Sequence, residues 1–288
     1  MRNFYLKALE NLKKSDLYRS LICSDTVRCV AVQRGETKFI SFCSNDYLGL
    51  SQNELVKKEA IEATKKYGVG SGASRYVTGN NSLYEKLEKQ IAKMKNCDDA
   101  IVFSSGYAGA IGIIPALAQK GDLIVADRLI HSSLIDGSKL SGAKLMRFLH
   151  NDVSHAKKIL EENRGKFEKC VILTETVFSM DGDAGEIEDL LKLAKEFDAI
   201  LVSDAAHDLF LGNGDNSCEN HLQIGTLSKA VGSLGGYATG DKDLIDYLRN
   251  FAKSAIYSTA LPPAVLAASL KSLEIIEKED FGKKALDT

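Results

Sequence analysis

The chain has 288 residues, which suits one large domain with a small appendage. Hydrophobic residues make up 44% of it and charged residues 26%, a composition that excludes general disorder and is typical of a globular protein. The formal net charge is −2, from 37 basic and 39 acidic residues without a long run of one sign, so neither nucleic acid nor an anionic membrane surface is an expected partner.

The N-terminal stretch has the pattern of an amphipathic helix, with Leu6, Leu9 and Leu12 set among charged residues. It lacks the uninterrupted apolar core of a secretory signal, and no later stretch reaches the roughly 18 apolar residues of a membrane span. We therefore expect a cytoplasmic protein whose six cysteines, none of them in a C-x-x-C pair, are reduced. The five histidines form no H-E-x-x-H motif, and no metal site is predicted.

Short apolar runs alternate with helical patterns along most of the remaining chain. The runs that predict strands are 100–103, 123–126, 170–174 and 199–203. The segments that predict helices are 55–67, 107–117, 187–197 and, after a pair of prolines, 264–277. Continuously apolar strands with helices between them indicate an α/β fold with a parallel sheet covered on both faces.

Polar residues follow directly after these predicted strands. They are Ser105, Asp127, Glu175 and Asp204. Because ligands of open α/β sheets bind beyond the carboxyl ends of the strands, these four residues predict one shared crevice.

A lysine stands among small residues and glycines in the segment 225–237, GTLSKAVGSLGGY. A lysine that is partly removed from water there has a lowered pKa and can form a Schiff base, so Lys229 is a candidate nucleophile. Thr226 and Ser228 are candidate donors to a phosphate. A glycine-rich turn with a surface lysine explains this segment equally well, and the pattern of a phosphate-binding P-loop is absent.

Three other parts of the sequence also fit a site in which a Schiff-base lysine and a phosphate-bearing cofactor meet. Asp204 is suited to pairing with a pyridinium nitrogen, with His207 three residues on, although an aspartate that caps a helix has the same pattern. The strand-to-helix turn at Ser105 and Gly106 offers free N–H groups to a phosphate. His131 has a flat ring that could stack on an aromatic cofactor, but single histidines are more often ordinary hydrogen-bonding residues.

Four longer stretches resemble the α-oxoamine synthases, enzymes of the aspartate-aminotransferase fold that use pyridoxal 5′-phosphate (PLP). They are 44–50 (SNDYLGL), 70–75 (GSGASR), 178–183 (FSMDGD) and 226–229 (TLSK). The resemblance implies a fold of type I, with a mostly parallel central sheet flanked by helices. It divides the chain into an N-terminal helical arm (1–40), a PLP-binding large domain (41–263) and the start of a truncated C-terminal small domain (264–288). The sequence departs from the family at Ala205, at Asp208 and in the loop 209–219.

The resemblance also implies roles for individual residues. The positions implied to bind the cofactor are Ser105, Gly106, Tyr107, His131, Glu175, Ser179, Asp204, His207, Thr226 and Lys229. Lys229 is the Schiff-base lysine and moves the α-proton, Asp204 pairs with the pyridine nitrogen, and His207 pairs with the phenolic oxygen. His131 stacks on the ring. Arg19 and Asn45 are implied to contact the substrate.

The stretches 126–134, 147–153 and 256–263 are most similar to the branch of the family that serves biotin synthesis. The activity implied is a decarboxylating condensation of L-alanine with pimeloyl-CoA or pimeloyl-acyl carrier protein, by a homodimer. Three alternatives remain: another α-oxoamine synthase, of the glycine C-acetyltransferase or 5-aminolevulinate synthase type; a truncated, non-catalytic PLP-binding relic or subunit; and a nucleotide-binding α/β protein.

Overall fold

The computed structural model describes residues 2–28, 30–208 and 219–278. Two predicted segments lie partly outside the described residues: the loop 209–219, of which only residue 219 is described, and the C-terminal domain, of which the final ten residues are not described. The chain divides into two compact units, Met1–Ser44 and Asn45–Thr288.

The first unit contains one helix and a small sheet. Helix α1 (Arg2–Lys14) has no buried residue. It is followed by the antiparallel strands β1 (Asp25–Arg28), β2 (Ala31–Arg34) and β3 (Thr37–Ile40), with β2 in the centre. The segment predicted as a helical arm is thus helical only in its first third.

The second unit is built on a seven-stranded sheet. Its strands are β4 (Asp99–Phe103), β5 (Leu123–Asp127), β6 (Lys144–Phe148), β7 (Cys170–Glu175), β8 (Ile200–Asp204), β9 (His221–Thr226) and β10 (Gly236–Gly240). The strand order is β4-β10-β9-β8-β7-β5-β6. Strand β10 pairs antiparallel with both of its neighbours, and the other pairs are parallel, so the prediction of a mostly parallel sheet is confirmed.

Helices cover both faces of this sheet. They are α2 (Glu54–Tyr67), α3 (Ser82–Met94), α4 (Gly106–Leu117), α5 (Ser132–Ser141), α6 (Val153–Asn163), α7 (Ile187–Glu196), α8 (Lys242–Phe251), α9 (Lys253–Ile256) and α10 (Pro263–Lys278). Alternate residues of one strand point to opposite faces. In β4, Phe103 packs in the cluster of α4, α5 and α8, whereas Val102 packs in the cluster of α2, α3 and α10.

The predicted strands and helices from residue 55 onward are confirmed. Strands β6, β9 and β10 were missed, because β6 is a half-exposed edge strand that carries Lys144 and Arg147, and the glycines of β9 and β10 weaken an apolar signal. Helix α10 packs against α2 and α3 within the second unit. The domain boundaries of the sequence analysis remain predictions.

Two further expectations concern the compartment. Cys97 is disulfide-bonded, so the expectation that every thiol is reduced is wrong for this residue, whereas Cys23, Cys43 and Cys170 are free. Among the described residues, no helix has both the length and the apolar character that crossing a bilayer demands.

Candidate active site

A cavity of about 250 Å³ lies at the carboxyl ends of β7, β8 and β9. The lining residues are Ser105, Gly106, Tyr107, His131, Ser133, Glu175, Asp204, Ala206, His207, Ile224, Gly225, Thr226, Ser228 and Lys229. The crevice predicted from polar residues after the strands is therefore present, although the cavity is lined by Ser105, Glu175 and Asp204 and not by Asp127.

The first turn of α4 forms one side of the cavity. Ser105 is the N-cap of this helix, and its hydroxyl accepts a hydrogen bond from the Ala108 N–H at 3.0 Å. The N–H groups of the first turn, including those of Gly106 and Tyr107, have no acceptor within the helix. A Cβ atom added to Gly236 would overlap the backbone of Ser105 and Gly106, so only glycine lets β10 approach this turn. The result is a preformed anion-binding corner.

Lys229 lies in the loop between the antiparallel strands β9 and β10. The loop is closed by backbone hydrogen bonds, one of them from the Gly232 N–H to the Lys229 carbonyl at 2.8 Å, and Gly232 has a φ of 67° that favours glycine. The Lys229 amine is half-buried and lies 2.7 Å from Nε2 of His207. Burial lowers the pKa of Lys229, while the charges of Asp204 and Glu175 oppose that shift.

His207 connects Lys229 to Tyr47. Burial, followed by the charges of Lys229 and His131, lowers the pKa of His207 to about 4, so the ring is neutral at neutral pH. Its Nδ1 lies 2.7 Å from the Tyr47 hydroxyl, which donates to Oδ1 of Asn45 at 3.1 Å. One proton arrangement satisfies all three contacts: Lys229 donates to Nε2, Nδ1–H donates to Tyr47, and Tyr47 donates to Asn45.

Two acidic residues line the floor of the cavity. Burial, followed by the charge of Asp204, raises the pKa of Glu175 to about 7. One Glu175 oxygen accepts the backbone N–H of His131 at 2.6 Å. Burial also raises the pKa of Asp204, whose Oδ1 accepts the N–H of Ala206 at 2.9 Å. Asp204 is thus a desolvated carboxylate for which a cationic partner in the cavity would be favourable.

His131 and Thr226 also line the cavity. His131 is exposed and caps α5, and its Nδ1 lies 2.8 Å from the Ser133 hydroxyl. The Thr226 hydroxyl donates to the Gly235 carbonyl at 3.0 Å and lies 2.7 Å from the hydroxyl of Ser228. Because the Thr226 proton is directed at Gly235, the Ser228 hydroxyl is the donor in its contact with Thr226, and both protons are engaged within the loop.

Most of the predicted site residues meet in this cavity. Ser179 is exposed in a turn after β7 and is not among the described residues that line it. Asn45 joins the site only through Tyr47. Arg19 lies in the first unit, in a stretch without regular secondary structure, and its role remains a prediction.

Tyr47 is the main residue that the sequence analysis missed. It belongs to the stretch 44–50 that carries the family resemblance, which was the available signal, but no role had been inferred for it. Its hydroxyl reaches His207 across 160 positions of the chain, and sequence spacing does not reveal such a contact.

Comparison with known proteins establishes the family. The sequence profile described as aminotransferase class I and II matches residues 37–287. The chain belongs to the aminotransferase class I and II family. A putative 8-amino-7-oxononanoate synthase of Parvibaculum lavamentivorans is 44% identical to this chain. The alignment covers 99% of this chain and 76% of the relative. The 8-amino-7-oxononanoate synthase of Geotalea daltonii is also 44% identical, over 94% and 71% of the two chains.

Solved structures of the family agree with this assignment. Serine palmitoyltransferase from S. paucimobilis, with PLP and myriocin bound, has a TM-score of 0.84 and 26% identity and covers 94% of this chain and 71% of its own. The 8-amino-7-oxononanoate synthase of Francisella tularensis has a TM-score of 0.67 and 34% identity, over 82% and 68%. The predictions of an α-oxoamine synthase relationship, of the PLP-dependent fold, of a PLP-dependent acyltransferase and of PLP as the cofactor are confirmed.

Proposed function

We propose that this chain condenses L-alanine with pimeloyl-CoA or pimeloyl-acyl carrier protein, releases CO2 and gives 8-amino-7-oxononanoate. Relatives of that name at 44% identity support this substrate choice. The observation that carries the proposal is the placement of Lys229: its amine lies 2.7 Å from a neutral histidine, in a cavity with two desolvated carboxylates and a helix N-terminus.

The anion-binding corner fits the phosphate of PLP. The N–H groups of Gly106 and Tyr107 combine with the positive end of the α4 dipole, which favours a dianion. The hydroxyls of Ser228 and Thr226 border the same cavity, and Ser228 would supply a side-chain donor by turning its proton from Thr226 to the phosphate. No positively charged side chain lines this corner among the described residues except Lys229, so the backbone amides carry most of the phosphate binding.

The carboxylate and the two histidines fit the pyridine ring. Asp204 would keep a pyridine nitrogen protonated, and the positive charge so formed would offset the desolvation of the Asp204 carboxylate. His131 would cover one face of the ring, and the unprotonated Nε2 of His207 would accept a hydrogen bond from the phenolic hydroxyl. Tyr47 and Asn45 fix this tautomer of His207. PLP, when bound, withdraws electrons from the α-carbon of the amino acid.

Lys229 moves the proton of this reaction. Its lowered pKa places more of the amine in the neutral form, which can accept the α-proton of alanine and return it later. Glu175 holds the backbone of His131 and keeps the covering ring in place. These residues together would account for cofactor binding and proton transfer.

A second candidate is an α-oxoamine synthase that uses another amino acid and thioester. The serine palmitoyltransferase structures favour it, because their TM-scores of 0.75 to 0.85 exceed the 0.67 of the Francisella enzyme. Sequence identity favours the first candidate, at 44% against 26%. We rank sequence identity higher, since one fold hosts many substrates.

We further propose a homodimer in the cytoplasm. A group of exposed apolar side chains lies near the bridge that pairs Ser74 with Thr259, with Val77 at 75% and Tyr257 at 79% exposure. Such a patch marks an interaction surface, and a second copy is the occupant that the family resemblance implies. Val77→Asp should shift the mass in analytical ultracentrifugation from dimer to monomer, and a wild-type monomer would contradict the proposal.

The test of the proposed function begins with Lys229. Borohydride reduction of the PLP-loaded protein, followed by digestion and mass spectrometry, should place a pyridoxyl group on Lys229. Lys229→Ala should lose the group and the visible absorbance of the bound cofactor, whereas Lys242→Ala, which removes an exposed lysine of α8, should keep both. A tag on another lysine would overturn the site.

Turnover then identifies the substrates. Released CO2 is measured with L-alanine, glycine or L-serine, each paired with pimeloyl, acetyl, succinyl or palmitoyl thioester. The proposal expects the alanine and pimeloyl pair to give the highest kcat/KM. A preference for serine and palmitoyl-CoA would replace it with the second candidate, and a tagged Lys229 without turnover of any pair would indicate the non-catalytic alternative.

A further inference from the structure

Three loops at the carboxyl edge of the sheet meet at His150, outside the cavity. Its Nδ1 lies 3.1 Å from both carboxylate oxygens of Asp127, at the end of β5. Its Nε2 lies 2.8 Å from Oδ2 of Asp183, in the loop after β7. The next residue, Asn151, donates its backbone N–H to Asp127 and its side-chain amide to Asp183, each at 2.8 Å.

The geometry determines the protonation of the His150 ring. A neutral imidazole has one N–H, whereas here both ring nitrogens face carboxylate oxygens that can only accept. Both contacts are hydrogen bonds only when the ring carries two protons and a positive charge. Burial by itself lowers the pKa of His150, but the hydrogen bonds and charges of Asp127 and Asp183 outweigh it and raise the pKa above 6.5.

The charged groups that face His150 from the described part of the chain are all acidic. Asp127 comes from the end of β5, and Asp183 and Asp181 come from the loop after β7. A ring nitrogen of His150 and one carboxylate oxygen each of Asp181 and Asp183 lie within 4.8 Å of one another. Phe178 packs edge-on against the ring at a centroid distance of 4.4 Å. Removal of the proton from His150 would therefore leave three carboxylates close together.

The cluster connects to the cavity through Asp127. Asp127 is fully buried, and its Oδ1 accepts the Leu129 N–H at 2.8 Å. That bond orders the turn leading to His131, whose own N–H is held by Glu175 at the floor of the cavity. The position of the His131 ring thus depends on Asp127, and the position of Asp127 depends on His150.

We propose that His150 is a positioning residue: as an imidazolium it joins the loop that carries His131 to the loop 178–184, and so holds the His131 wall of the cavity in place. The inference rests on the proposed function only in taking His131 as the residue that covers the cofactor ring. Loss of the cross-link releases the turn 127–131, and it changes how the bound cofactor is oriented without removing any group that touches it.

The first experiment measures the charge on His150 directly. The chain has only five histidines, so their ring signals are resolvable by heteronuclear NMR, and the signal missing from His150→Gln identifies His150. In the wild type the His150 signal should remain that of an imidazolium at pH values above 6.5. Asp183→Asn keeps the shape and one acceptor but removes a charge, and it should lower the His150 titration midpoint.

Asp181→Asn is the matched control, since Asp181 lies in the same loop but has no hydrogen bond to His150 among the described contacts. It should lower the midpoint less than Asp183→Asn. Amide hydrogen exchange at Leu129 and His131 should become roughly tenfold faster in Asp183→Asn and stay near the wild-type rate in Asp181→Asn. A wild-type ring that is neutral at pH 6.5, or equal effects of both variants, would overturn the proposal.

The second readout concerns the bound cofactor. Visible circular dichroism of the PLP-loaded protein should change in His150→Gln and Asp183→Asn, with the absorbance of the bound cofactor retained. An unchanged dichroism spectrum in both variants would refute the positioning role. If borohydride labels no lysine, the proposed function fails by itself, while the NMR titration and hydrogen exchange of the unloaded protein still decide the role of His150.

Discussion

At the residue scale, the site depends on groups whose protonation is set by their neighbours. Burial raises the pKa of Asp204 and lowers the pKa of Lys229, and each shift is reduced when an opposite charge is adjacent. His207 shows the same principle with its tautomer, because Lys229 and Tyr47 lie on opposite sides of one neutral ring. Loss of a single proton partner should therefore affect chemistry more than folding.

Asp204→Asn is predicted to abolish most proton transfer while the fold is retained. An amide has no negative charge with which to keep a pyridine nitrogen protonated, so the bound cofactor would withdraw electrons from the α-carbon less strongly. Exchange of the α-proton of alanine with deuterium, followed by proton NMR, should slow by orders of magnitude. Exchange at the wild-type rate would refute this role of Asp204.

Tyr47→Phe is predicted to weaken catalysis through His207. The variant removes the acceptor of Nδ1–H, and a half-buried donor without a partner costs about 1–3 kcal/mol, or roughly tenfold in rate. We expect kcat to fall by about that factor and the visible absorbance of the bound cofactor to shift. Tyr67→Phe on α2 is the control and should change neither quantity. Equal behaviour of the two variants would count against a role of Tyr47 in orienting His207.

At the element scale, the start of α4 has two functions. Ser105 stabilises the helix as its N-cap, and the same turn offers its free N–H groups to the cavity. The strand-to-helix turn follows from the sequence, but its closeness to β10 depends on Gly236, from a distant part of the chain. The effect of Ser105 on helix stability can therefore be separated from its effect on phosphate binding, by comparison with the N-cap of a helix that does not border the cavity.

Ser105→Ala is predicted to lose about 1 kcal/mol of stability and to weaken PLP binding. Asp241→Ala removes the N-cap of α8, where the Asp241 side chain accepts from Leu244, and should cost a similar amount without affecting PLP. Thermal unfolding measures the first effect and equilibrium dialysis of PLP the second. If both variants bind PLP as the wild type does, the turn at Ser105 does not hold the phosphate.

At the scale of the whole molecule, buried histidines lower the free energy of unfolding at acid pH. His221, the first residue of β9, is buried; its Nε2 lies 2.9 Å from the Ser203 hydroxyl, and burial followed by the charge of Lys95 lowers its pKa to about 4. In the unfolded chain the same histidine takes up a proton near pH 6.5. Protons therefore favour the unfolded state between these two values.

We predict that stability falls as the pH is lowered from about 6.5 to about 4, by roughly 3 kcal/mol from His221 alone. His207 acts in the same direction. Glu175 acts in the opposite direction. Its pKa is about 7 in the folded protein and about 4.5 in the unfolded chain, so between these pH values the unfolded chain loses this proton more readily and a rising pH lowers stability. Urea unfolding of the wild type and of His221→Gln at several pH values isolates the first contribution, and parallel pH profiles would contradict it.

The sequence by itself determined the sheet, the crevice and the principal chemical groups. Apolar runs such as 170–174, with helical patterns between them, are typical of buried strands, and their polar ends meet because parallel strands share one edge. Lys229, Asp204, His207 and His131 could be identified because the family resemblance lies in short contiguous stretches. Each of these signals is local, so no knowledge of packing was needed to find it.

Only the tertiary structure decided which of these groups act together. Tyr47 reaches His207, and His150 joins Asp127 to Asp183, through contacts between residues 160, 23 and 33 positions apart. The raised pKa of Glu175 and the lowered pKa of His207 likewise arise from desolvation and from neighbours that are distant in the sequence. Hydrogen bonds and desolvation depend on distances between side chains in space, and those distances exist only once the chain has packed.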